Sequence, residues 1–435
     1  MESTPLVKKI ANVLLRVVSL AAKLALSLYM GRYLGLSDLG VYGLVFSVVT
    51  ISTIVLGLRV DYVVVRDLVD CNPLEAMRKM RDQTLFYGLN YVVFALFGLV
   101  LVLFHAVSFK LACVIFMIAV LENLTNIFTT NLVSLGRPIL ATGLFFVRSG
   151  LWSLFVVGLG LTFPAFRSVQ AILVAWALGE AVSLVWTLWV FRRYPWREAL
   201  RFPVDRVWLT QAIYKSLPFW LSSLGATVAG SVDRFVVSHY LGLESVGVIT
   251  FYGSFSAALL SLVHSGFYSF SYPRLIAHYR EGQISAFWKE TRYMVVEVAL
   301  FVTLASVVLG VGIPYSAQFF GKPAFATEAV TLWLMLLSVL ILSLTQALYY
   351  VLYARHQDTS LWMGGLLILI PAVLGNFFFV PIMGLVGVGY SAVLSSSLLL
   401  VWWLFFVFWG PRKKTCESKA AAESNSSKMA EFLDP

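Results

Sequence analysis

The chain has 435 residues, 60% of them hydrophobic and only 12% charged, with a formal net charge of +10. A soluble globular protein carries about 25% charged residues, so this deficit, with a mean hydropathy of +0.85, excludes a water-soluble domain and specifies a chain dissolved in lipid. The excess of cations does not indicate nucleic acid, because Lys and Arg lie between apolar segments on alternate loops.

Twelve apolar stretches are predicted to be membrane-crossing helices: 10–31, 40–64, 84–106, 111–135, 139–163, 168–191, 213–238, 246–273, 292–317, 325–353, 359–380 and 384–409. Each is long enough for roughly 30 Å of hydrocarbon. Only helices or closed barrels span a bilayer, since no water is available there for backbone groups. Continuous apolar runs without alternation select helices. The first run is too long for the core of a signal peptide, and no small-residue cleavage site follows it.

The loops alternate in charge. Lys8, Lys9, Arg78, Lys79, Arg81, Arg192, Arg193, Arg197, Arg201, Arg280, Lys289, Arg412, Lys413 and Lys414 fall on one side, and only Arg32, Lys110, Arg167 and Lys322 on the other. The positive-inside rule puts the basic side, with both termini, in the cytoplasm, and the protein in the cytoplasmic (inner) membrane. The basic linkers 65–83, 192–212 and 274–291 are expected to anchor on anionic lipid. Loops on the other side are too short to hold an enzyme site. The tail 410–435 is polar, rich in Ala and Ser, and expected to be disordered. Cys71, Cys113 and Cys416 have neither metal-ligand nor redox spacing.

Residues 31–41 read GRYLGLSDLGV and residues 238–248 read SHYLGLESVGV. Tyr33/Tyr240, Leu34/Leu241, Gly35/Gly242, Leu36/Leu243, Gly40/Gly247 and Val41/Val248 match at a constant offset of 207 residues. Both copies join two crossings, and glycine suits such turns because it reaches φ > 0 freely. Six crossings separate them, so the repeat is parallel. The expected fold is an all-α polytopic protein of about twelve helices. It comprises a six-helix lobe at 1–191, a linker at 192–212 and a second six-helix lobe at 213–409, with a site between the lobes suited to alternating access.

The segments GRYLGLSDLGVYGLVFS and SVDRFVVSHYLGLESVGVITFYGSFS resemble the polysaccharide-flippase branch of the multidrug/oligosaccharidyl-lipid/polysaccharide exporter superfamily. Asp233-Arg234 before the second turn, the sequence FSYP at 270–273 and Gly136-Arg137-Pro138 are similar to that family too. The resemblance implies two lobes around a central cavity and flipping of polyprenyl-phosphate or polyprenyl-pyrophosphate saccharides.

Ionisable groups at bilayer depth cost about 2.5–3.5 kcal/mol each on insertion scales, so they face an interior or a wet cavity. Arg16, Lys23, Arg59, Arg148 and Arg234 are the cations at that depth, and suit a phosphate-bearing headgroup. Asp61, Glu122, Glu180, Asp233 and Glu297 supply a formally balancing set of anions, so internal ion pairing is the competing explanation. Glu122, Thr125, Asn126 and Thr129 share one helix face. Glu122, Asn126, Asp61, Glu180 and Asp233 are candidates for a polar cavity or for coupling to H+ or Na+. Asp233-Arg234 is read as part of an outer gate at the end of the seventh crossing. His264 is read as a hydrogen-bonded interior residue, and the last three crossings, almost free of charge, as structural.

The leading expectation is a transporter that flips a lipid-linked saccharide and works as a monomer among membrane lipids, with no metal, cofactor or catalytic residues. A multidrug/cation antiporter of the same superfamily is the alternative, although five cations at depth disfavour it. A membrane glycosyltransferase or polymerase would need larger loops. The chain lacks the G-x-x-x-x-G-K-[ST] phosphate loop of a primary pump.

Overall fold

The computed structural model describes residues 5–69, 71–105 and 107–410, with side chains from Leu14 onward. Cys416 and residues 411–435 of the predicted tail lie outside the described residues. Every regular element among those described is helical.

The first half contains α1 (Pro5–Tyr33), α2 (Leu36–Gly57), the short α3 (Asp61–Leu68), α4 (Pro73–Leu103) and α5 (Phe109–Ser134). It continues with α6 (Pro138–Phe146) and α7 (Trp152–Thr162), joined through a π-helical turn at Val147–Leu151, and with α8 (Val169–Phe191). A short α9 (Trp196–Ala199) lies in the connection to α10 (Arg206–Ala229), α11 (Val232–Leu241) and α12 (Leu243–Val263). A second π turn, His264–Tyr268, leads into α13 (Ser269–Arg280), followed by α14 (Ile284–Tyr315), α15 (Ala317–Phe320) and α16 (Ala324–Thr327). The chain ends with α17 (Ala329–Ala354), α18 (Asp358–Leu367), α19 (Leu369–Met383) and α20 (Leu385–Trp409).

Eleven rods among the described residues are long and apolar enough to cross a membrane, which makes this a multi-pass membrane protein. The crossing predicted at 213–238 differs. It is two helices end to end, starting at Arg206 inside the predicted linker and breaking at Gly230–Ser231. Gln211, Lys215, Ser216, Ser222 and Ser223 make α10 more polar than its neighbours. Helix starts follow local chemistry. The side chains of Asn72, Ser108, Ser168 and Asp205 each accept a bond from a backbone N–H three residues on. In Gly136-Arg137-Pro138, Gly136 takes φ +74° and Pro138 opens α6.

The two repeated turns meet. A Cβ on Gly40 would lie 2.1 Å from the Leu243 carbonyl oxygen, and one on Gly247 would lie 2.0 Å from that of Leu36. One on Gly43 would reach Thr250 Oγ1 at 2.0 Å. The offset of 207 carries Gly40 onto Gly247, Leu36 onto Leu243 and Gly43 onto Thr250, so the contact is reciprocal about a pseudo-twofold. The repeat is therefore parallel, with both turns on one face. Of the paired turn glycines only Gly242 uses a positive φ (+83°), whereas Gly35 sits at −70°. The shared glycines that matter most are the packing ones, Gly40 and Gly247, which let α2 and α12 touch backbone to backbone. Val45, Val49, Val246, Ile249 and Phe251 build the core around this seam.

At the opposite, basic face the linker is clamped. Arg81 and Asp82 form a buried ion pair at 2.6 Å. The Arg81 guanidinium also donates to the carbonyls of Ala199, Phe202 and Pro203, and Asp82 Oδ2 accepts from the Asp205 N–H at 3.0 Å. Arg81, expected among the lipid-anchoring cations, is instead an internal tie, because three converging carbonyls and a carboxylate outbid a headgroup for its five donors.

Candidate functional site

A cavity of about 560 Å³ opens between the halves on the basic side of the seam. Its wall is built by Arg16, Ser19 and Lys23 of α1, Asn126, Thr129 and Thr130 of α5, Thr142 of α6 and Arg148 of the first π turn. Ser261, His264 and Ser265 of α12 and the second π turn complete it. A deeper chamber of about 230 Å³ continues toward the seam, lined by Tyr42, Phe46, Glu122, Trp152, Trp176, Glu180, Arg234 and Thr250. Lys23, Arg148, Ser149 and Ser261 line both and form the neck.

Local structure aims these groups. Arg16 and Lys23 are seven residues apart on one helix, hence on one face. The π turn at Val147–Leu151 adds a residue to the helical repeat, a feature that recurs at functional sites. It directs Arg148 inward, while Trp152 Nε1 donates to the Arg148 carbonyl at 2.8 Å. The Arg148 guanidinium donates to the Glu122 carbonyl (3.3 Å), Thr125 Oγ1 (3.3 Å) and Asn126 Oδ1 (3.4 Å). Glu180, 2% exposed, accepts from Thr125 Oγ1 at 2.5 Å. Arg234 Nη1 donates to Ser47 Oγ at 3.2 Å, across the two halves.

Charge in the cavity is unbalanced. Among the described residues no carboxylate lies within 4.0 Å of the side-chain nitrogens of Arg16, Lys23, Arg148 or Arg234. Four cations face two carboxylates, Glu122 and Glu180, leaving a formal +2. The neutral balance read from the sequence fails because the other anions are used elsewhere. Asp61 pairs with Arg59 at 3.8 Å beside the α2–α3 break, outside both linings. Asp233 Oδ1 accepts the Arg234 N–H at 2.8 Å in the first turn of α11. Glu297 is exposed on α14, away from the cavity.

Seven predicted site residues thus come together: Arg16, Lys23, Arg148, Arg234, Glu122, Asn126 and Glu180. Arg59, Asp61 and Asp233 do not join them. Asp233-Arg234 begins α11 instead of ending a continuous helix, because the chain breaks at Gly230–Ser231. His264, expected to be an interior hydrogen-bonded residue, is exposed on the cavity wall. Sequence reasoning missed the aromatic wall of Tyr42, Phe46, Trp152 and Trp176, and the polar face of α12. The spacing of Thr250, Ser254, Ser261, His264 and Ser265 in an otherwise apolar helix carried a signal for the latter. The last three predicted crossings contribute nothing to either lining.

No protein-family model matches the chain, and no curated protein matches it. Solved structures do. An inward-facing multidrug resistance MATE family transporter of the MOP superfamily aligns at TM-score 0.72 and 14% identity, covering 91% of this chain and 98% of that one. The lipid II flippase MurJ in an inward closed conformation aligns at 0.69 and 11% identity, covering 92% and 87%. An outward-facing MATE family transporter aligns at 0.52 and 17% identity, covering 93% and 95%. The two halves around a central cavity thus share their overall fold with these solved membrane transporters.

Proposed function

We propose that the protein carries an anionic lipid, a polyprenyl-phosphate or polyprenyl-pyrophosphate saccharide, from the cytoplasmic to the outer leaflet by alternating access. The observation that carries this reading is the unpaired +2 cavity between the halves. Lys23 and Arg148 at its neck hold the phosphates, with Arg16 toward the opening and Arg234 toward the seam; guanidinium and ammonium groups without a carboxylate partner bind phosphate oxygens strongly. The positive-inside rule puts the basic face and both termini in the cytoplasm of an inner membrane, so the cavity faces inward. The better alignment with the inward-facing than with the outward-facing MATE structure supports the same orientation. Glu122, Glu180 and Asn126, which line the same cavities, are the candidates for coupling the cycle to H+ or Na+.

The test is flipping of a polyprenyl-pyrophosphate saccharide by the full chain in proteoliposomes. Lys23→Ala and Arg148→Ala should each slow it while leaving folded protein in the membrane, and Lys23→Arg should retain more activity than Lys23→Ala. Wild-type rates in both alanine variants would sink the reading. A second reading, export of organic cations, is favoured by one observation: Glu122 and Glu180 stand beside aromatic rings in the deeper chamber. It predicts dye efflux that Glu180→Gln abolishes.

A further inference from the structure

Phosphate chemistry accounts for the neck but not for the chamber beyond it. Glu122 and Glu180 would repel a phosphate placed there. Four polar atoms on its lining residues are buried without a hydrogen-bond partner: Glu122 Oε2, Arg148 Nε, Arg234 Nε and Thr250 Oγ1. Such orphans are uncommon in folded proteins and call for a water, an ion or a ligand. They come from α5, the first π turn, α11 and α12, so both halves contribute.

The signs of the four are mixed. The carboxylate oxygen only accepts, the two guanidinium nitrogens only donate, and the hydroxyl does either. A phosphate would use the two guanidinium donors and the hydroxyl, and an amine or metal ion the carboxylate oxygen and the hydroxyl. A polyol uses all four, because each hydroxyl donates and accepts. The apolar side of the chamber also suits a sugar. Trp152 and Trp176 stack at 6.1 Å and 8°, and Tyr42 and Phe46 lie 6.2 and 6.0 Å from Trp176. Together they give the chamber an aromatic, apolar wall against which the C–H side of a pyranose can pack. At about 230 Å³ the chamber is smaller than the roughly 300–1,000 Å³ of drug-sized sites. It equals about eight waters at about 30 Å³ each, space for one sugar ring and not for a chain of them.

We infer that the deeper chamber is a saccharide subsite for the single ring attached to the phosphate. The substrate then lies in line, with the ring in the chamber, the phosphates at the Lys23–Arg148 neck and the start of the lipid tail in the larger cavity. This inference rests on the proposed anionic saccharide-lipid substrate.

The experiment is calorimetric binding to the purified full chain in nanodiscs, with inorganic pyrophosphate and glucose 1-diphosphate as probes. The sugar should improve affinity at least tenfold over pyrophosphate. Gly253→Leu should remove that gain by filling the chamber. A Cβ there meets only the flexible ends of Arg234 (3.1 Å) and Met335 (4.0 Å). Thr250→Val, nearly isosteric, should reduce the gain several-fold if the larger variant misfolds. Thr250→Val should leave pyrophosphate affinity unchanged, whereas Lys23→Ala should weaken both probes. Equal affinity for the two probes, or a sugar gain that survives both chamber variants, overturns the subsite and leaves the phosphate reading standing. Binding of neither probe overturns the phosphate reading and the subsite with it. Displacement of glucose 1-diphosphate by tetraphenylphosphonium but not by glucose overturns the subsite in favour of a cation chamber.

Discussion

Helices α2 and α12 occupy equivalent places in the two halves, and both are interrupted at the same depth, since the offset of 207 carries Gly57 onto His264. The interruptions differ in kind. After α2 the helix breaks outright, with Leu58 and Arg59 at φ +44° and +54°. Carbonyls in the last turn above that break accept from side chains. Asn123 Nδ2 donates to Thr53 (3.0 Å), Trp220 Nε1 to Ile54 (3.0 Å) and Asn90 Nδ2 to Leu56 (2.8 Å). After α12 the rod runs on through a π turn, which turns His264 and Ser265 toward the cavity. A duplicated backbone determines where a helix yields, and neighbouring donors determine whether it breaks. Charge divides just as unequally: α1, α5, α8 and the first π turn supply Arg16, Lys23, Glu122, Arg148 and Glu180, while the second half supplies Arg234 alone.

The sharpest way to break the symmetry is to fasten its axis. In Gly43→Cys/Thr250→Cys the new side chains meet across the seam, where a Cβ on Gly43 lies 2.9 Å from Thr250 Cβ. That is slightly inside the roughly 3.5–4.5 Å of a disulfide, so a small retreat suffices. Oxidation should reduce flipping to background, and reductant should restore it. Full activity of the cross-linked protein would show that the seam never opens.

The next test weighs the two halves. Each charge-assisted bond is worth about 1.5–3 kcal/mol, and about 1.4 kcal/mol is tenfold. The double variant Lys23→Ala/Arg148→Ala should therefore slow flipping at least about a hundredfold, and Arg234→Ala only about tenfold. Equal losses, measured as initial rates in proteoliposomes, would erase the asymmetry. The two interruptions can be compared by stability. Asn90→Leu strips the Leu56 carbonyl of its donor and should cost about 1–3 kcal/mol, read as a lower thermal midpoint in nanodiscs. Ser265→Ala on the continuous side should cost less than about 0.5 kcal/mol. The smallest effect is expected from Arg59→Ala. Its partly exposed pair with Asp61 contributes about 0–1 kcal/mol, and flipping rates should stay within twofold of wild type. A large transport defect there would return Arg59 to the substrate path.

Hydrophobic runs and helical spacing are properties of consecutive residues, so the sequence by itself determined eleven of the twelve expected crossings, the parallel repeat and the shared face of Arg16 and Lys23. The same locality explains why the stripe Glu122, Thr125, Asn126 and Thr129 was visible, and why three of its members line the cavity while Thr125 holds Glu180. Partner choice is not local. Whether Asp61 balances a cavity cation or Arg59, and whether Asp233 faces a substrate or holds the Arg234 N–H in the first turn of α11, was decided by which groups the fold brought within reach. Trp152 and Trp176 carried no signal in a chain with 13 Trp and 33 Phe, because an aromatic side chain facing lipid and one facing a chamber look alike in one dimension. Tertiary structure alone decided the role of Gly40 and Gly247. A glycine's missing side chain acquires meaning only when another backbone occupies its space, and here α12 and α2 occupy it reciprocally.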